Sequence, residues 1–154
     1  MSSWPCPSAH GSTGSSQKCV DVLALDSSAL LARYLGGPTR QVVLDAMSAD
    51  DDWCASSLAL SEVLVLIERV SGFEGERDAL RRAVRDDWER IHAVPVDQAC
   101  LDRAAELGRT QPVRTVDAIH LAAADRLPRP LSYCTFDSRQ IPVALALGFD
   151  VMSI

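Results

Sequence analysis

The sequence predicts a three-layer α/β domain, with a mainly parallel central sheet flanked by helices. Three observations point there. Short apolar runs alternate with longer helical segments, the order that builds parallel sheets from strand–helix–strand units. The first run, "CVDVLAL" (19–25), is nearly continuous in its apolar character, as a strand buried on both faces should be. The 154 residues, 47% hydrophobic and 23% charged, suit one domain with its own core.

Residues 1–18, "MSSWPCPSAHGSTGSSQK", are rich in Ser, Gly and Pro and lack the apolar stretch of a signal peptide. They read as a disordered tail or a start extension, with the domain occupying 19–154. After the first strand, "SSALLARYL" forms a helix, with Ser27 or Ser28 as N-cap and Gly36–Gly37 as its stop. "PTRQVVLDAMSA" is a second helix that tolerates Pro38 in its first turn. "WCAS" is strand-like, "SLALSEVLVLIERV" a strongly apolar helix, and "GERDALRRAVRDDWERI" a charged amphipathic one. "HAVPV" is the next strand and "DQACLDRAAELGR" the helix after it. The segment 113–127, "VRTVDAIHLAAADRL", is helical, followed by the strand "LSYCTF", the helix "SRQIPVALALG" and the strand "FDVMSI".

Five scattered cysteines, with no C-x-x-C pair, argue against a disulfide framework or a zinc site and for a reducing cytoplasm. Cys54 and Cys134 read as small buried hydrophobes. No apolar run approaches the roughly 20 residues that cross a bilayer. The single lysine, Lys18, excludes a Walker A loop. A net charge of −6 is poor for broad phosphate contact, so any nucleic-acid binding must rest on a local rim of arginines.

Four acids stand in unexpected places. Asp117 shares a helix face with Val113, Leu121 and Ala124, and Glu62 one with Leu58 and Leu66. Asp26 ends the first strand, and Asp137 follows "LSYCTF" directly. In open parallel sheets the crevice beyond the carboxyl ends of the strands binds ligands, and all four can converge there. Like charges about 4 Å apart repel by roughly 4 kcal/mol at an effective dielectric near 20, so the cluster needs arginines or a metal ion to offset it. Carboxylate oxygens without a Cys or His cluster suit Mg²⁺ or Mn²⁺. Taken singly, each acid has a plain alternative as helix cap or salt-bridge partner, Asp137 and Asp26 above all; the case rests on the four together. His120 reads as a packed or surface residue, with no Ser or Cys partner evident. The arginine-rich run 76–90 reads as a solvated, salt-bridged face.

The series "LALDSSALLARYL", "ASSLALSEVLVLIERV", "RTVDAIHLAAADRL" and "LSYCTFDSRQIPVALALGFDV" resembles the PIN-domain ribonucleases, and among them the VapC-type toxins of toxin–antitoxin pairs. The resemblance runs from about Val20 to the C-terminus and implies a PIN-like fold. It implies that Asp26, Glu62, Asp117 and Asp137 hold Mg²⁺ or Mn²⁺ and act in catalysis, with Ser28 and Thr135 as accompanying hydroxyls. It further implies metal-dependent cleavage of RNA, often in a tRNA or rRNA loop, a homodimer, and a cognate VapB-like antitoxin whose C-terminal segment inhibits the site. Arg33, Arg40, Arg109, Arg114 and Arg139 flank the motifs as candidates for an RNA-binding rim. The competing expectations are a PIN-like scaffold that binds RNA or protein without cutting, and a metal-dependent nuclease or phosphatase with another substrate.

Overall fold

The computed structural model describes residues 22–154. The expected tail, with His10 and Cys6, and the start of the first strand at 19–21 lie outside the described residues. Five strands form one wholly parallel sheet in the order β3-β2-β1-β4-β5. The strands are β1 (Val22–Leu25), β2 (Asp52–Ser56), β3 (His92–Val94), β4 (Leu131–Cys134) and β5 (Asp150–Met152). The helices are α1 (Ser27–Ala32), α2 (Pro38–Ala49), α3 (Ser57–Val70), α4 (Glu74–Trp88), α5 (Gln98–Thr110), α6 (Thr115–Asp125) and α7 (Ile141–Ala146).

The alternation of side chains along β1 creates the three layers. Leu23 and Leu25 face a cluster with Ala29, Leu30, Val43, Met47, Val63 and Ile67, drawn from α1, α2 and α3. Val22 and Ala24 face the opposite cluster, which holds Cys100, Leu107, Leu121, Ala122 and Val143 from α5, α6 and α7. A fully buried leucine such as Leu23 contributes about 1.5–3 kcal/mol. Cys54 and Cys134 are fully buried, as their apolar settings suggest. None of the described helices is long and apolar enough to cross a membrane.

Two helices differ from expectation at their starts. Asp26, the other cap the sequence allowed, caps α1 in place of Ser27 or Ser28: its side chain accepts from the Ala29 amide. The last helix is only six residues long, because 138–140 form a turn and Ile141 opens the helix. That turn draws Gln140 into the interior, where it is 2% exposed. Gly37 precedes α2 with φ of 107°, a backbone conformation that favours glycine.

The chain leaves β1 toward β2 and β3 on one side and later returns to add β4 and β5 on the other. The strand order therefore reverses between β1 and β4, and there the carboxyl ends of the two central strands open a crevice. Asp26 follows β1 and Thr135 follows β4, tied by the Asp26 N–H donating to the Cys134 carbonyl at 3.3 Å.

Candidate active site

Asp26 is 1% exposed and accepts four hydrogen bonds. Ser28 Oγ and the Ala29 amide donate to Oδ1 at 2.7 and 2.9 Å, while Thr135 Oγ1 and Gln140 Nε2 donate to Oδ2 at 2.7 and 3.1 Å. Every acceptor position of the carboxylate is thereby filled. Burial pushes its pKa up, and the donors from Ser28, Ala29 and Thr135 pull against that rise without cancelling it.

The same Gln140 amide nitrogen also donates to Asp117 Oδ1 at 3.1 Å. One donor thus holds two buried carboxylates that lie 91 residues apart in sequence. Its orientation is fixed because Tyr133 Oη donates to Gln140 Oε1 at 2.6 Å, which turns the NH₂ toward the acids.

Asp117 is 2% exposed in the first turn of α6, where the helix dipole favours a negative charge. Arg114 forks onto it: Nε donates to Oδ2 at 2.7 Å and Nη2 to Oδ1 at 3.0 Å. Nη2 also donates to Asp137 Oδ2 at 2.6 Å. Asp137 is further set by the Arg139 amide on Oδ1, and its own amide donates to Thr135 Oγ1. Asp26, Asp117 and Asp137 are therefore linked in one network through Gln140 and Arg114.

Glu62 stands outside these hydrogen bonds, though near enough to Asp117 to feel its charge. His120 lies three residues after Asp117 on the same helix and pairs through Nε2 with Glu62 Oε2, while its Nδ1 meets Ser56 Oγ at 2.9 Å. Burial pushes the Glu62 pKa up, but the hydrogen bond and charge of His120, with help from Ser27, outweigh this and hold it below the usual carboxylate range. His120 is packed, as expected, but the expectation that it lacks a hydroxyl partner is corrected: Ser56 was invisible because it lies 64 residues away. The Asp117-to-His120 spacing was the available signal. Nothing in the spacing singles out Gln140.

The candidate rim divides. Arg33 is committed to Asp87 at 2.6 Å, and Arg40 Nε donates to the Arg33 carbonyl at 2.9 Å. Arg109 and Arg139 are exposed, and Arg114 lies inside the acidic network.

Three Asp carboxylates and one Glu form an all-oxygen set of the kind that suits a small hard cation. Among the described residues, however, no three His, Cys, Asp or Glu side chains stand ready as a metal-binding group. The Asp117 carboxylate accepts instead from Arg114 and Gln140, the same two donors that reach Asp137 and Asp26.

The molecule is thus a parallel α/β domain whose Asp carboxylates gather at the switch point of the sheet. The chain belongs to the PIN domain family, whose model matches residues 23–144. It is 34% identical over 131 residues to Ribonuclease VapC46 of Mycobacterium tuberculosis, a match spanning 84% of this chain and 95% of that protein. FitAcB from Neisseria gonorrhoeae shares the fold with a TM-score of 0.67 at 13% identity, covering 85% of this chain and 96% of that one. A toxin–antitoxin complex from Klebsiella pneumoniae gives 0.61 at 18% identity, covering 77% and 89%. VapBC-5 of Mycobacterium tuberculosis, a toxin–antitoxin system, gives 0.58 at 19% identity, covering 86% and 98%.

Proposed function

We propose that this chain is a VapC-type ribonuclease toxin that hydrolyses RNA phosphodiester bonds with Mg²⁺ or Mn²⁺ and is restrained by a cognate antitoxin. One observation carries the reading: Asp26, Asp117 and Asp137, remote in sequence, meet at the switch point through two shared donors. The kinship with a VapC ribonuclease supports the substrate class, and the folds shared with toxin–antitoxin complexes support the partner.

Asp117 and Asp137 are the carboxylates to hold the ion, since both regain acceptor positions when Arg114 leaves. Asp26, fully hydrogen-bonded, sets the negative potential and the position of Thr135. When bound, the cation lowers the pKa of a water and neutralises phosphoryl oxygens. Glu62, held in place by its pairing with His120, orients the attacking water. Exposed Arg139, beside Asp137, contributes to a rim that meets the RNA backbone. The acidic crevice also suits an Arg or Lys of the antitoxin as an electrostatic plug. A homodimer completes the assembly.

The test is cleavage of a panel of single-stranded RNA, DNA and nucleotide esters with Mn²⁺, comparing wild type with Asp117→Asn. RNA cleavage should fall by about a hundredfold or more in the variant while its circular dichroism is unchanged. Undiminished cleavage by the folded variant rejects the assignment, and cleavage of DNA or esters alone redirects the substrate.

A further inference from the structure

The three hydrogen bonds of the Arg114 guanidinium to the site all end on Asp117 and Asp137. The side chain is nevertheless 59% exposed, while Asp117 beneath it is 3% and Asp137 21%. A buried carboxylate and a half-buried one are thus bridged by a cation that solvent can reach and receive. Withdrawal of this one side chain frees three acceptor positions at once, two on Asp117 and one on Asp137, and uncovers two negative charges. Gln140 offers no such release, because it is buried and pinned by Tyr133.

Building on the metal-dependent reading above, we infer that Arg114 is an internal counter-ion: it closes the Asp117–Asp137 pair in the metal-free protein, and a divalent cation binds by displacing it. The exchange follows from chemistry. The fork geometry of a guanidinium satisfies carboxylates well, but it brings one positive charge where the pair carries two negative ones. A divalent ion balances both charges and takes oxygen ligands directly. The displaced guanidinium stays tethered at the N-terminus of α6, at the mouth of the crevice, placed to meet an incoming anion. The arginine is therefore a determinant of metal affinity, and its contribution to apparent affinity is negative.

The experiment is calorimetric titration of the full chain with Mn²⁺ alone, for wild type, Arg114→Gln, Arg114→Lys and Arg109→Gln. Each protein is first shown to be folded in EDTA by its melting temperature. Arg114→Gln should bind Mn²⁺ about tenfold more tightly than wild type, since the ion no longer has to displace a guanidinium from the two carboxylates. Arg114→Lys keeps the charge but loses the fork, so its affinity should lie between the two. Arg109→Gln removes the same charge from α5 and should stay within about twofold of wild type. Equal or weaker binding by Arg114→Gln overturns the counter-ion role while leaving the metal site standing. A tenfold gain in Arg109→Gln as well overturns it in favour of net charge alone. Binding by neither wild type nor Arg114→Gln rejects the metal reading, and the counter-ion role with it.

Discussion

Of the arginines that fork onto a carboxylate, Arg33 and Arg114 differ most in what surrounds the fork. Arg33, at the end of α1, donates through Nε and Nη2 to Asp87 of α4 at 2.6 and 3.2 Å. Tyr34 Oη donates to the same carboxylate at 2.6 Å, Met47 Sδ takes a bond from Nη1, and the guanidinium lies 6.0 Å from the Trp53 ring centre. Arg33 and Asp87 are 21% and 16% exposed. Arg114, by contrast, is 59% exposed, and its fork is spread over two acids of the crevice. The first pair is enclosed by side chains that make it a staple between helices. The second lies open at the site where the chain gathers its negative charge. Similar fork chemistry serves architecture in one place and occupancy in the other, and the surroundings decide which.

Removing each guanidinium is the sharpest way to break this contrast. Arg33→Ala should destabilise the fold by about 2–3 kcal/mol, because it strips a largely buried carboxylate of its bidentate cationic partner and leaves it the Tyr34 hydroxyl as side-chain donor. Urea denaturation in EDTA reads this directly, and a loss near zero would show that the staple is ornamental.

A smaller effect separates the staple by pH. Burial pushes the Asp87 pKa up, but Arg33 and Tyr34 outweigh it and hold the carboxyl below its usual range. The unfolded chain therefore takes up this proton at higher pH than the folded one. The stability contributed by the pair is complete at neutral pH and is lost as pH falls through the folded pKa of Asp87. The stability difference between wild type and Asp87→Asn should shrink across that acidic window; a constant difference would show that charge is not what Asp87 supplies.

The smallest effect belongs to Arg114→Ala. In EDTA it should cost less than Arg33→Ala, because the guanidinium is itself exposed and Asp117 keeps the Gln140 amide and the N-terminus of α6 as partners. A loss as large as that of Arg33→Ala would make Arg114 a second staple and remove the contrast.

The alternation of apolar runs and amphipathic segments made the sheet and its helices legible in the sequence, since burial on two faces leaves a strong signature. Helix ends were harder to read. Asp26 both caps α1 and enters the crevice, so the neighbouring serines presented a false cap. Gln140 shortens α7 by turning inward, a tertiary demand that local propensity does not encode. The four acids were visible because a carboxylate on an apolar stripe or at a strand end breaks a pattern. The groups that bind them together were not, because Ser56, Gln140 and Tyr133 break none. Arg114 was visible as a basic neighbour of Asp117, but its bridge to Asp137 spans 23 residues and exists only in three dimensions.

On the function proposed above, this crevice is a divalent-cation site built on Asp117 and Asp137. Crystals grown with Mn²⁺, with diffraction recorded near the manganese absorption edge, test it most directly. The predicted result is an anomalous peak within coordination distance of the Asp117 carboxylate, with Arg114 turned away from Asp137. A crevice without such a peak at saturating Mn²⁺, and with Arg114 still bridging the two acids, would contradict it.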